Sequence, residues 1–142
     1  MKIVAIRIRG INRVSHSVEL TMQQLHLYRK NYCSVVPDTP VGRGMLAKAK
    51  DYVTYGPIDE DTYKMLLERR GEEYKGPLAD AKNIISYSRR YIAIGDKKYK
   101  PFFRLHPPLG GFDRKGTKKA FSLGGTTGFR GEEMKKLLER ML

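Results

Sequence analysis

A strand, a helix cap and a helix follow one another without interruption in residues 32–50, which read YCSVVPDTPVGRGMLAKAK. The β-rich run 32–36 predicts a strand, and Pro37 ends it. Thr39 supplies an oxygen for the helix N-cap, and Pro40 suits the first helical position, where its missing N–H costs nothing. We therefore expect a strand that leads directly into a helix.

The predicted helix has an apolar stripe and an opposite basic face. The apolar positions that share one stripe are Val41, Met45, Leu46 and Ala49. The positions left for the outward face are small or cationic, namely Gly42, Arg43, Gly44, Lys48 and Lys50. A ligand with negative charge could therefore approach this face closely.

Another strand is predicted near the N-terminus, in residues 3–8, IVAIRI. Alternation at its end sends Ile6 and Ile8 to one face and Arg7 and Arg9 to the other, which we assign to solvent or ligand. The loop that follows is small, polar and cationic, and its members are Gly10, Asn12, Arg13 and Ser15. Such a loop can hold phosphate oxygens.

A helix capped by Ser17 and a third strand complete the predicted N-terminal fold. The helix positions expected to be buried are Val18, Met22, Leu25, Leu27 and Tyr28. Residues 51–56, DYVTYG, have the composition of a strand. The order βαβαβ is complete by about residue 58, and three strands covered by two helices form a small α+β layer pair. We expect residues 1–58 to form a core domain.

Residues 59–142 predict a C-terminal extension of mixed character. In order, its predicted elements are a helix at 59–70, a short helix at 77–86, an irregular hairpin with arms 91–94 and 99–105, a basic Gly- and Pro-rich loop at 106–130 and a terminal helix at 132–142. The terminal helix has Met134, Leu137, Leu138 and Met141 on one face. The basic loop is expected to be ordered mainly by a partner.

The charge balance indicates a polyanionic partner. The chain has 142 residues, of which 28 are Lys or Arg and 15 are Asp or Glu, and its net charge is +13. Nucleic acid is the first candidate for such a basic protein. No long apolar run or signal peptide is evident, so we expect neither a membrane partner nor export from the cell.

Catalytic and metal-binding patterns find no support in the sequence. The single Cys33 is expected to be a buried apolar side chain, and the three histidines, His16, His26 and His106, lack metal-ligand spacing. The glycine-rich run at 124–128 ends without the Gly-Lys-Ser/Thr of a phosphate-binding loop. We therefore expect no enzyme activity, no cofactor, no metal and no small-molecule substrate.

The basic residues that stand in clusters are the candidate binding residues. One cluster contains Arg7, Arg9, Asn12 and Arg13; a second contains Arg43 and Lys48; a third contains Arg104, His106, Lys115, Lys118, Lys119 and Arg130. Each mixes cations with glycine or polar backbone, so that phosphate oxygens can meet both charge and N–H donors. Folded RNA suits an extended surface of this kind.

Three segments carry a family resemblance. The runs CSVVPDTPVGRGMLAKAKDYVTYG (33–56), FFRLHPPLGGF (102–112) and GGTTGFRGEEMKKLLERML (124–142) are similar to the large-subunit ribosomal protein L-thirty family, called L-seven in eukaryotic ribosomes, in its longer archaeal form. The resemblance implies a three-stranded antiparallel sheet related to the ferredoxin-like fold, with its first strand in the middle and two helices on one face. The bacterial form would stop near Asp59.

The resemblance also implies a function. The family binds large-subunit rRNA beside neighbouring ribosomal proteins in the cytoplasm and catalyses no reaction, and we expect no homo-oligomer. The implied RNA contacts are Gly10, Asn12, Arg13, Thr39, Arg43 and Gly44. Leu109 stands where the family commonly has an arginine, so no RNA contact is expected there. A small RNA- or nucleotide-processing enzyme and a non-specific DNA-binding protein remain as alternatives.

Overall fold

A computed structural model describes residues 2–10, 12–77, 81–84, 91–94, 96–112 and 114–142. The strands in these residues are β1 (Lys2–Arg7), β2 (Tyr32–Pro37), β3 (Val53–Ile58), β4 (Ile92–Ile94), β5 (Lys97–Tyr99), β6 (Phe103–Arg104) and β7 (Gly128–Phe129). The α-helices are α1 (His16–Gln24), α2 (Pro40–Lys48), α3 (Glu60–Arg70) and α4 (Met134–Met141). The predicted α+β class is confirmed.

The main sheet has five strands in the order β6-β2-β1-β3-β7. Its centre is the implied three-stranded antiparallel sheet with β1 in the middle, flanked by β2 and β3. The extension adds one short strand to each edge, because β6 pairs antiparallel with β2 and β7 pairs parallel with β3. Both edges of the N-terminal sheet are thus partly covered by the later part of the chain.

The first face of the sheet packs against α1 and α2, as predicted for two helices on one face. Ile3 and Ala5 of β1 point to this side. The core cluster there consists of Ile3, Ala5, Met22, Leu25, Leu27, Val36, Leu46, Ala49 and Val53. Burial of these apolar side chains is the main force that holds the two helices to the sheet.

The second face packs against the extension. Val4, Ile6 and Ile8 alternate with the residues of the first face and enter a core cluster with α3, α4, Phe103 and Leu105. The four residues predicted to face inward from the terminal helix, Met134, Leu137, Leu138 and Met141, are all fully buried there. The sheet is therefore covered on both faces, by N-terminal helices on one side and by the extension on the other.

Side-chain caps begin three of the helices. Thr39 caps α2 as predicted, since its hydroxyl accepts the N–H of Gly42 at 3.1 Å. Ser15 caps α1 by accepting the N–H of Val18, so the predicted cap at Ser17 is wrong by two residues. Asp59 caps α3 by accepting the N–H of Thr62, and hydrogen bonding from the Thr62 side chain and backbone lowers the pKa of the Asp59 carboxyl.

The predicted apolar stripe of α2 needs correction at its start. Val41 is 73% exposed, so it does not belong to the buried side of α2. Gly42 is buried instead, and a Cβ there would lie 2.9 Å from the Pro37 carbonyl oxygen. The inner face of the first turn therefore has room for glycine only.

Two predicted elements of the extension differ in detail. Residues 78–80 and 85–86 of the predicted short helix lie outside the described residues, and residues 81–84 form a turn in which Ala81 and Ile84 are exposed, not buried. The predicted hairpin is confirmed in a shorter form as β4 and β5, with Gly95 outside the described residues. Its predicted second arm stops at β5, and β6 joins the main sheet instead.

The described residues of the basic loop at 106–130 make hydrogen bonds within the loop, and the ordering of the loop by a partner stays a prediction. The Phe121 N–H donates to the Thr127 carbonyl at 2.8 Å, and the Gly125 N–H donates to the Ala120 carbonyl at 2.8 Å. Thr126 and Thr127 are buried. The end of the loop returns to β3, where the Arg130 N–H donates to the Tyr55 carbonyl at 2.9 Å.

Cys33 provides a test of the buried sheet. The side chain is fully buried, as predicted, and burial raises the pKa of its thiol far above the ordinary range. We expect iodoacetamide at pH 8 to alkylate the native protein on the order of a hundredfold more slowly than the urea-unfolded protein, because only the opened state exposes the thiolate. Mass spectrometry over time measures both rates. Equal rates would contradict the burial.

Candidate nucleic-acid interface

An open cleft lies at the end of β1, where the predicted polar loop meets the basic loop of the extension. We call it the tyrosine cleft, and its volume is about 480 Å³. Its lining residues are Ile8, Arg9, Gly10, Asn12, Arg13, Lys30, Tyr52, Thr117 and Lys118. Four cations contribute to it, and among the residues that the structure describes no acidic side chain does.

The chemistry of the tyrosine cleft combines charge with an aromatic ring. The Arg9 guanidinium carbon lies 5.6 Å from the centre of the Tyr52 ring. The Arg9 Nε is buried and has no hydrogen-bond partner within the described part of the chain. A phosphate oxygen could bind the Arg9 side chain where it lines the cleft, and the Tyr52 ring, which also lines the cleft, could stack with a base.

A second basic cleft, the α3 cleft, lies between the end of α3 and β6 and encloses about 400 Å³. Its lining residues are Arg69, Arg70, Gly71, Glu72, Arg104, Leu105 and His106. Glu72 already pairs with Arg104 at 2.6 Å and with Lys100 at 3.0 Å. The Arg104 guanidinium, with help from Lys100, holds the pKa of the Glu72 carboxyl below its usual range. Arg104 is therefore exposed but partly neutralised.

The predicted patch on α2 forms a separate surface. Arg43 is exposed, and its guanidinium donates to both carboxylate oxygens of Asp38, with Nη2 2.9 Å from Oδ2. The hydrogen bond and charge of Arg43 lower the pKa of Asp38, and Asp38 in turn raises the pKa of Arg43. Gly44 and Lys48 are also exposed.

Strand register shows which groups lie at the same end of the sheet. Arg7 pairs with Val53, and Tyr32 pairs with Arg104, so both basic clefts lie at the C-terminal end of β1. Pro37 pairs with Lys2 at the opposite end, where α2 begins. The predicted sites near Thr39 and Arg43 are therefore separated from the clefts by the length of the sheet.

Arg7 is not a surface residue, and its predicted RNA-binding role is wrong. The side chain is fully buried beneath α1 and pairs with Glu19 at 3.1 Å. Its remaining N–H groups donate to backbone carbonyls. Alternation correctly separated Arg7 from Ile6, but the face that it enters is interior.

Arg130 is likewise buried, at 5% exposure, so its predicted RNA-binding role is also wrong. Its guanidinium donates to the hydroxyl of Thr54 and to the carbonyl of Thr126, both at 3.3 Å, and lies 4.6 Å from the centre of the Phe121 ring. The residue thereby joins β3 to the basic loop. Its role is to hold this loop in place.

The three lysines of the basic loop do not act as one group. Lys118 lines the tyrosine cleft, whereas Lys115 and Lys119 are exposed outside both clefts. The Lys119 carbonyl accepts the Thr126 N–H at 2.9 Å, and the Lys115 N–H donates to the Gly124 carbonyl. These contacts hold the backbone at Lys115 and Lys119, and their exposed side chains extend from it.

Sequence reasoning missed several residues that line the clefts. They are Lys30, Tyr52, Thr117, Arg69 and Arg70. In the sequence, Lys30, Arg69 and Arg70 lie at the ends of predicted helices, where basic residues favour the helix C-terminus, and Tyr52 lies in a predicted strand. One signal in the sequence could have identified some of them. Basic and aromatic residues that lie just outside strand ends come close together in the loops at one end of a sheet.

Two kinds of structure are absent from the part of the chain that the structure describes. Within the described ranges, no cluster of three or more His, Cys, Asp or Glu side chains is arranged to hold a metal ion. No helix there has both the length and the apolar composition needed to cross a bilayer. A small basic α+β fold with two open cationic clefts is typical of proteins that bind polyanions.

Comparison with known proteins identifies the family. The family model described as Ribosomal protein L30p/L7e matches residues 3–53. A Methanopyrus kandleri protein named large ribosomal subunit protein uL30 is 41% identical, over 94% of this chain and 99% of its own length. A Methanococcus maripaludis protein of the same name is 40% identical over the whole of both chains, and one from Nanoarchaeum equitans is 39% identical over 96% of each.

The chain therefore belongs to the ribosomal protein L30p/L7e family. This confirms the resemblance found in the three sequence segments. The family consists of structural ribosomal proteins, not enzymes, so a small processing enzyme is no longer an alternative. Because the relatives match along their full length, the similarity includes the extension as well as the N-terminal sheet.

Proposed function

We propose that this protein binds large-subunit rRNA and stabilises its folded form as a structural constituent of the large ribosomal subunit. The observation that carries the proposal is the tyrosine cleft, where Arg9, Arg13, Lys30 and Lys118 converge around Tyr52. Phosphate oxygens would meet the cations, and an unstacked base would meet the ring. The archaeal relatives are named as large-subunit proteins, which agrees with this partner.

Each proposed contact surface has a distinct role. The tyrosine cleft, with Gly10 and Asn12 at its rim, is the principal RNA site. The α3 cleft, with Arg104 and His106, is a second site at the same end of the sheet. Thr39, Arg43, Gly44 and Lys48 form a third contact on α2, and Lys115 and Lys119 add exposed charge. Neighbouring large-subunit proteins are the proposed protein partners, and the site of action is the ribosome in the cytoplasm.

Binding of purified protein to an in vitro transcript of an archaeal large-subunit rRNA tests this function. We expect the binding constant to fall steeply with salt, by about 0.7 to 0.9 log units per log unit of salt for each phosphate neutralised. Duplex DNA of equal length is the competitor. Equal affinity for DNA and rRNA would favour non-specific DNA binding instead, and no rRNA binding would overturn the proposal.

Replacing Arg43 by glutamate tests the contact on α2. We expect Arg43→Glu to weaken rRNA binding about tenfold, because it replaces an exposed cation by an acid beside Asp38. The melting temperature should change by less than about 3 °C, since the side chain lies outside the core. Filter binding and calorimetry provide the two measurements.

Asp38→Asn is the matched control, because it breaks the same ion pair while keeping Arg43 cationic. We expect this variant to bind rRNA at least as tightly as the unmodified protein. If Asp38→Asn weakened binding as much as Arg43→Glu does, the ion pair itself and not the charge of Arg43 would matter. A large fall in melting temperature for Arg43→Glu would show that Arg43 is structural.

A further inference from the structure

The buried Arg7 makes more contacts than an ion pair with Glu19 requires. Its Nε donates to the Arg9 carbonyl at 3.0 Å, and its Nη2 donates to the Gly10 carbonyl at 3.2 Å. Its Nη1 donates to the carbonyls of Leu27 and Tyr28 at 2.9 and 3.2 Å. All five guanidinium N–H groups thus have acceptors, which compensates for the removal of the charge from water.

The carbonyls that Arg7 binds belong to two separate segments of chain. Arg9 and Gly10 begin the loop after β1, whereas Leu27 and Tyr28 precede Lys30 in the connection from α1 to β2. Both segments contribute to the lining of the tyrosine cleft, the first through Arg9 and Gly10 and the second through Lys30. One guanidinium therefore ties both parts together from beneath.

Backbone contacts reinforce the same arrangement. The Asn31 N–H donates to the Arg7 carbonyl at 2.8 Å, and the N–H groups of Ile8 and Arg9 donate to the Tyr52 carbonyl. The backbone of Arg9, and that of Asn31 directly after Lys30, is consequently attached at the ends of strands of the main sheet beside Arg7. Glu19 completes the unit by fixing the guanidinium from α1.

We propose that Arg7 is a positioning residue that preorganises the tyrosine cleft, setting the spacing of the cations on its two segments for RNA phosphates. This inference rests on the proposed RNA-binding function. Arg7 itself makes no contact with RNA. Four backbone carbonyls and one carboxylate need a planar donor with five N–H groups, which lysine does not provide. Preorganised cations bind without the entropy loss of ordering the loop at the moment of binding.

A double-mutant cycle between Arg7→Lys and Arg13→Ala tests this proposal. Arg13→Ala alone should weaken binding to the archaeal rRNA transcript about tenfold. In protein carrying Arg7→Lys, which retains the charge, the same Arg13→Ala change should lower rRNA affinity less than about twofold. The reason is that the loop carrying Arg13 is no longer anchored at the carbonyls of Arg9 and Gly10. Arg43→Glu, at the other end of the sheet, should cost the same in both backgrounds.

Hydrogen exchange of the RNA-free protein provides the second readout. In Arg7→Lys, the amides of Arg9 and Asn31 should exchange about tenfold faster or more, while that of Leu138 is unchanged. Leu138→Ala, a core variant on the second face, is the control for loss of stability alone. It should lower the melting temperature without altering rRNA affinity at temperatures well below the transition.

Each outcome decides the question. Additive effects of Arg7→Lys and Arg13→Ala, unchanged binding by Arg7→Lys, or an equal loss of affinity in Leu138→Ala would overturn the positioning role. A protein that fails to bind rRNA, or one for which Arg13→Ala has no effect, would refute the proposed function of the cleft instead. If Arg7→Lys fails to fold, Glu19→Gln carries the same cycle, since it weakens the anchor of the guanidinium and keeps the arginine.

Discussion

A fragment that ends at Ile58 is expected not to fold as a stable monomer. It contains the predicted core domain 1–58, but the second face of its sheet is covered by α3, α4, Phe103 and Leu105. The apolar side chains uncovered by truncation are Val4, Ile6, Ile8, Cys33 and Ile58. At about 1.5 to 3 kcal/mol for each large side chain, their loss of burial is comparable to the whole free energy of unfolding of a small domain, about 5 to 15 kcal/mol.

Far-UV circular dichroism and thermal unfolding of the fragment measure this effect. We expect no cooperative transition. We also expect the fragment to self-associate, because association buries the exposed apolar face. In the full chain, Leu138→Ala is a graded comparison that should cost about 2 to 5 kcal/mol by leaving a cavity under the same face. A fragment that melts cooperatively near the full chain's melting temperature would support the division of the chain at Ile58 into an independent domain.

Reversing three charges of the tyrosine cleft should have the largest effect on RNA binding. We expect the combined variant Arg13→Glu, Lys30→Glu and Lys118→Glu to weaken rRNA binding on the order of a thousandfold, because each substitution removes a charge-assisted contact and adds repulsion. The slope of log affinity against log salt should also become shallower by about 2 to 3. All three side chains are exposed, so the fold should be unchanged.

A control with the same change in net charge separates the cleft from general attraction. Lys64, Lys82 and Lys97 are exposed and line neither basic cleft. Their replacement by glutamate should weaken rRNA binding by less than about tenfold and leave the salt slope nearly unchanged. Equal losses in the two triple variants would mean that net charge, and not the geometry of the tyrosine cleft, determines affinity.

The order of the N-terminal elements was predictable because local chemistry determines it. Residues 32–50 carry a strand pattern, a capping threonine and a proline at the first helical turn, and the structure has β2, Thr39 and α2 at these places. The terminal helix was equally readable, since its apolar stripe is regular. Elements whose boundaries depend on one or two neighbouring residues need no long-range information.

The site was only partly predictable, because burial of a charge depends on distant partners. The strand pattern places Arg7 and Arg9 on the same face. In the structure, Arg7 pairs with Glu19 inside the protein, whereas Arg9 lines the tyrosine cleft. Arg130 enters the interior because Thr54, far away in sequence, offers it an acceptor. Lys30 and Tyr52 were missed for the same reason, since they join Arg9 only through the pairing of strands.

The parallel pairing of β7 with β3 has a consequence for synthesis of the protein. Thr54 pairs with Gly128, so one edge of the sheet is completed only after most of the chain has been made. At about 5 to 20 residues per second, the sheet formed by β1, β2 and β3 would wait on the order of ten seconds for its last strand and for α4. During that interval the nascent chain exposes an apolar face and needs protection from aggregation.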